Sequence, residues 1–371
     1  MTKRALLLLA VFLFGMAGMQ TTRAQVGITA VPFLQIEPDS RGAGMGNTGV
    51  AIADNAAAMF WNPAGFAFQS GNQVSITHSK WLPNFDTDLF YDYLVGKYTV
   101  EGIGTFGGHL TYLNLGEQQR TDEAGNDLGT FTSYELAGGF SYGFRANENL
   151  GLGAGLRFIY SKLVPSGTIV GGQEAQAGTS IAVDLSGLYQ TDEFYIANRA
   201  ARFRFGANLS NLGPGIQYSD QAQKDPLPTL LRFGWSYSMD LDEEGYNRIT
   251  IATDISKIMA RSDTTGNSDG PLEALVSSWD SYERFNGQKM VELSLIEQFM
   301  IGAGMEYWYN DLFAVRGGFY REDPKNGDRQ YITLGAGLRY NMFGVDFSYI
   351  YTLEEDHPLA NTIRFSVLLN I

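Results

Sequence analysis

The chain has 371 residues, no cysteine, 44 glycines, 24 phenylalanines, 20 tyrosines and a formal net charge of −14. Glycine lies well above the ~7% usual in soluble proteins but has no every-third-residue period, which excludes collagen, and 13% aromatic residues exclude a disordered chain. Without cysteine there is no disulfide scaffold, thiolate cluster or cysteine nucleophile, and 40 acidic against 26 basic residues argue against nucleic acid as a partner, since binding it requires neutralising phosphates.

At the N-terminus Lys3 and Arg4 precede an apolar run from Ala5 to Met19, and Thr22-Arg23-Ala24 places small residues before Gln25. This pattern predicts a cleaved signal peptide over 1–24. The apolar run is shorter than the ~20 residues that a membrane-spanning helix needs. Export would leave 23 basic against 40 acidic residues.

Residues 25–71 lack strand alternation and are expected to form a plug, or hatch. They carry Arg41-Gly42-Ala-Gly44-Met-Gly46-Asn47-Thr-Gly49, then Asp54 and Trp61-Asn62-Pro63-Ala-Gly65. Gly44 to Gly49 spells GxGxxG, but no buried strand precedes it and no βαβ helix follows to aim it at a pyrophosphate. Glycine at this density instead lets backbone pack on backbone in a narrow space.

From residue 72 onward the chain alternates with period two, which is the strand signature. Leu150, Leu152, Ala154, Leu156, Phe158 and Tyr160 alternate with Gly151, Gly153, Gly155 and Arg157. Fourteen such segments are expected near 72–80, 89–98, 104–113, 132–145, 150–162, 179–189, 201–210, 229–239, 246–256, 297–309, 312–320, 330–340, 344–352 and 361–371. The connections alternate long and short, with 190–200 long for its place. Long outer loops, tight periplasmic turns and tyrosines at strand ends predict an all-β fold, a transmembrane antiparallel β-barrel of about 14 strands. A greasy sheet in a bilayer must close, because open edges cannot be satisfied there.

The inward face carries Glu135, Arg157, Asp184, Arg204, Asp254, Glu306, Arg339, Asp346 and Arg364. Isolated charges of both signs in a confined lumen should pair with one another or with a plug. A filled barrel is therefore expected over 72–371, rather than a water-wide porin.

The longest outer loop, about 257–296, contains Pro271 to Trp279, which reads as a short helix. Leu272, Leu275, Trp279, Tyr282 and Phe285 make it a candidate partner-docking surface, because aromatic anchors dominate interface energetics; a lid over the barrel mouth is the alternative. His78, His109 and His357 lie in separate segments, which disfavours a metal or catalytic site. Asp122 to Asp127 lacks the spacing of a calcium loop, and Glu354 to Asp356 reads as a solvated turn. No catalytic, cofactor or metal residue is expected.

The hatch motifs resemble those of FadL-type outer-membrane barrels. Pro32 to Arg41 ahead of the glycines, Trp61 before Asn62, Ser79-Lys-Trp-Leu-Pro83, Tyr112-Leu-Asn-Leu-Gly-Glu117 and Leu156-Arg-Phe-Ile-Tyr-Ser161 resemble the PorV/PorQ family. That resemblance implies a type IX secretion component in the outer membrane of a Gram-negative, Bacteroidota-like cell. It would bind the C-terminal signal domain of secreted cargo leaving a translocon barrel of the SprA/Sov kind and pass it to a sortase-like attachment complex. No reaction is implied for the chain itself: family members are linked to lipopolysaccharide deacylation, but no nucleophile constellation is visible here. Gly65 departs from the family pattern, where lysine is frequent, and leaves a PorQ-like paralogue open. The competing reading is a FadL-type channel for hydrophobic small molecules.

Overall fold

The computed structural model describes residues 29–85, 87–121, 126–170, 172–220, 224–261, 268–285, 290–354 and 357–371. The expected signal peptide lies outside the described residues, as do 25–28 of the expected hatch, 122–125 and 355–356.

Fourteen strands form a closed antiparallel barrel. They are β1 (Gln73–Lys80), β2 (Phe90–Val100), β3 (Gly104–Thr121), β4 (Asp127–Arg145), β5 (Leu150–Lys162), β6 (Gly178–Gln190) and β7 (Arg199–Leu212), followed by β8 (Leu230–Asp240), β9 (Asn247–Ile258), β10 (Met300–Tyr309), β11 (Phe313–Arg321), β12 (Gln330–Tyr340), β13 (Phe343–Thr352) and β14 (Ile363–Asn370). Each strand pairs with its sequence neighbour, and β1 closes the ring on β14, His78 facing Asp92 on one side and Phe365 on the other. No edge is left for the bilayer to satisfy.

The alternation sorts the two faces. On β1, Ser75, Thr77 and Ser79 are buried toward the lumen while Val74 and Ile76 are exposed. Phe140 is 78% exposed and Leu156 57%, values that suit contact with lipid. An outer girdle runs across four strands, with ring centroids 5.9 Å apart for Phe90 and Tyr112, 5.8 Å for Tyr112 and Tyr134, and 5.9 Å for Tyr134 and Tyr160. Among the described residues no helix is long and apolar enough to cross a membrane; the strands make the crossing.

Strand bounds fall close to those expected, with one large difference. Beyond the barrel, β3 and β4 continue as a paired ribbon through most of the expected loop 114–131, across a bulge between Asn114 and Glu117 where Gly116 has φ 74°. The ribbon residues Glu117 to Thr121 are polar and exposed, so alternation gives no signal there. The long connection 190–200 resolves into a tight hairpin. Phe194–Ile196 pairs with Arg199 to Ala201 around Ala197 and Asn198, whose φ values of 49° and 63° suit a two-residue turn.

The rim with short turns also carries Asn72 and Ile371, which exchange backbone hydrogen bonds, and is the periplasmic rim. On the opposite rim, the long loop folds into the helix α1 (Pro271–Ser277), a hairpin of Tyr282–Phe285 on Met290–Leu293, and a 3-10 turn, Ile296–Gln298. Proline at the first helical position and Glu273 in the first turn fit the helix start.

Candidate functional site

The N-terminal segment fills the lumen. It starts at the outer side, where the Ala30 N–H donates to Pro226 O, and ends at Asn72 on the periplasmic rim. Asp39 caps the turn Ser40–Gly44 through the Gly42 N–H at 3.3 Å, and its second oxygen accepts from Trp61 Nε1 at 2.6 Å. The Trp61 indole lies in a slot between Gly42 and Gly49, where any Cβ would run into the ring. Gly44 sits against Gly335, with 3.2 Å from an added Cβ to the Gly335 Cα, and Gly46 takes φ 68° beside Ala303 and Phe319. Asn47 is also left-handed, at φ 61°, and its N–H donates to Gly42 O. The GxGxxG run is thus a seat for an indole and for strand backbones.

The strands answer with glycines of their own. Gly302, Gly304 and Gly318 receive Met45 to Asn47, and Gly143, Gly151 and Gly153 receive Pro63 to Ala67. Asn62 holds the crossing point: its amide donates to Val50 O at 2.9 Å and Gly187 O at 3.1 Å, and its carbonyl accepts from the Ala64 N–H at 3.1 Å. A side chain at Gly65 would collide with the Ala53 carbonyl, so lysine does not fit this packing.

Charges tie hatch to wall. Arg41 makes a fork with Glu306, 2.9 Å from Nε and 2.7 Å from Nη2, and pairs with Asp54. Glu306 also accepts from Arg316 at 2.6 Å, Arg316 reaches Asp346 at 2.8 Å, and Arg339 meets Asp346 at 2.6 Å. Elsewhere Arg364 pairs with Glu37 at 2.8 Å, Arg157 with Asp184 at 3.0 Å, and the Asp254 carboxylate accepts from the N–H groups of Gly49 and Val50 at 2.7 and 2.9 Å. Arg204 approaches Asp54 at 3.4 Å. Glu135 departs from the expected pairing: it is buried and, among the described residues, accepts only from the Ser161 hydroxyl, at 2.8 Å.

Sequence reasoning missed Glu37, Asp39 and Arg316. Arg316 alternates with Val315 and Gly317 on β11, so its parity alone marked it as inward-facing. Glu37 and Asp39 precede any periodic segment and carried no such signal.

Above the hatch lies a cavity of about 790 Å³ lined by Phe33, Ile36, Trp81, Leu113, Met300 and Leu359, with Lys257 and Glu135 among its polar groups. Below it, a polar basin of about 450 Å³ faces the periplasmic mouth. The residues of the expected docking loop divide. Leu272 and Trp279 are exposed together with Val276, Leu275 is half-buried, Tyr282 lines the outer cavity, and the Phe285 side chain lies outside the described residues. The loop is clasped to its neighbour by Lys325 and Glu297 at 2.7 Å. That bond and the Ser294 N–H hold the Glu297 carboxyl down at about 2. On the same rim, burial and the nearby Glu354, Asp323 and Glu322 push Asp328 up to about 6.

The histidines are not brought together. His78 meets Asp92 at 2.7 Å on the outer wall, His109 packs beside Tyr93, and His357 accepts from the Leu359 N–H. Among the described residues no group of three metal-binding side chains is assembled.

A family model described as "Type IX secretion system protein PorV" matches residues 19–264, about two thirds of the chain. Among solved structures, the Ralstonia pickettii toluene transporter TbuX is similar at 15% identity and TM-score 0.51, over 91% of this chain and 99% of that one. The P. putida toluene transporter TodX follows at 11% identity and TM-score 0.51, over 90% and 99%. A Pseudomonas aeruginosa FadL homologue has 12% identity and TM-score 0.42, over 94% and 99%. No curated protein matches the chain. At these identities the structural likeness speaks for the fold alone, a FadL-like outer-membrane barrel. With the family match covering most of its length, the chain belongs to the PorV family and is an outer-membrane component of the type IX protein secretion system.

Proposed function

We propose that this barrel captures the C-terminal signal domain of cargo as it leaves the translocon and carries it to the surface attachment complex, with no chemistry of its own. The observation that carries this reading, beside the family, is the division of the molecule. The lumen is occupied by a hatch bonded to the wall at many points, while the outer rim presents the apolar residues Leu272 and Val276 on one short helix and Trp279 just past its end. An exposed tryptophan is the kind of side chain that anchors a protein interface. Deleting 268–285 should abolish cargo co-purification from detergent-solubilised outer membrane while heat-modifiable gel migration persists. Undiminished capture by the deleted form would refute the docking role.

A second reading rests on the outer cavity, whose apolar walls suit a hydrophobic small molecule. The two are separable in the same co-purification: cargo domains or a large barrel partner support the first, and lipid alone supports the second.

A further inference from the structure

Six ion pairs of the lumen form one chain: Arg204, Asp54, Arg41, Glu306, Arg316, Asp346 and Arg339. It has four guanidiniums and three carboxylates, and its weakly held end is the Arg204 end, at the periplasmic basin. There Arg204 has, among the described residues, one ion pair, 3.4 Å to Asp54. Its strand neighbour on the same face, Arg202, comes no closer to a carboxylate than 3.7 Å, from Glu193, and its Nε is buried without a hydrogen-bond partner. Two guanidiniums carry ten N–H donors, and those of Arg202 and Arg204 are nearly all unclaimed by the described residues.

Hydroxyls complete the setting. Ser238 lies directly across from Arg202 and Thr250 across from Ser238, and their oxygens share one hydrogen bond of 2.9 Å. Each keeps capacity for a second partner. Arg202, Arg204, Ser238 and Thr250 all line the 450 Å³ basin, which has room for an ion and its waters. Guanidiniums held side by side over hydroxyls are the recurring chemistry of phosphate and carboxylate recognition.

We infer that this basin is a binding site for a small oxyanion, phosphate or carboxylate, that enters from the periplasm, with Arg202 and Arg204 as its ligands. Asp54, on the hatch, is the internal competitor, since it already leans on Arg204 and Arg41. The basin lies inside the barrel mouth, so the ion arrives in solution and not as a lipid headgroup.

The test uses the full chain in detergent. Inorganic phosphate and acetate are titrated at constant ionic strength against chloride, with tryptophan emission as one readout, because Trp308 lines the same basin, and calorimetry as the other. A saturable response to either ion is expected, weakened at least tenfold in the R202Q/R204Q double variant and strengthened in D54N. Heat-modifiable migration checks that both variants are folded. Titrations indistinguishable from chloride, or equal in the wild type and the folded double variant, would overturn the assignment. The secretion reading does not enter: cargo capture can fail with the site intact, and the site can be absent with capture intact.

Discussion

At the scale of single residues, the hatch is held by shape as much as by charge. Gly49 and Gly42 leave a gap one indole thick for Trp61. A methyl group at Gly49 must displace the ring, and overpacking of this kind costs about 1–3 kcal/mol. Gly49→Ala is therefore expected to loosen the hatch, seen as a red-shifted Trp61 contribution to emission, with the barrel still heat-modifiable; an unchanged spectrum would show that the slot is not tight. Arg41→Gln removes the fork to Glu306, which is 1% exposed in its side chain. Stranding a buried partner costs about 3–5 kcal/mol, and the lower end is expected here because Arg316 stays on Glu306. Denaturant midpoints in detergent measure the difference. Sequence carried half of this story. Parity placed Glu306, Arg204 and Arg364 on the inner face, but their partners Arg41, Asp54 and Glu37 sit in aperiodic chain, where only three-dimensional packing brings them to the wall.

At the scale of elements, the strands were legible because lipid on one side and a packed lumen on the other impose the same period on every crossing. Legibility failed where that contrast ends. The ribbon beyond Asn114 meets water on both faces, and the hairpin at Ala197 and Asn198 is set by backbone dihedrals that no apolar pattern announces. The outer loop makes a testable case of local electrostatics. The Glu297 carboxyl sits at about 2, below its ordinary 4.5, chiefly through Lys325. A lowered acid contributes stability that is complete above pH 4.5 and lost as pH falls toward 2. Pepsin cleavage within 290–299 should accordingly be slow at pH 5, speed up through that window, and be fast at pH 5 already in Lys325→Ala. Equal rates for the two proteins at pH 5 would mean that the clasp does not order the loop.

At the scale of the whole molecule, ring closure through β1 and β14 predicts that the native barrel runs faster than its boiled form on a semi-native gel, and a single mobility at both temperatures would contradict closure. The route of the hatch has a consequence for assembly. Residues 30 to 72 run the length of the lumen from the Pro226 carbonyl to the rim turn, with an indole and many carbonyls wedged against strand glycines. A finished ring offers no gap through which side chains of that size could be threaded into place. The part of the chain made first must already lie in position when the last seam zips, so it serves as the mandrel on which the sheet is rolled. A hatch peptide added afterwards to a barrel closed without it should stay outside.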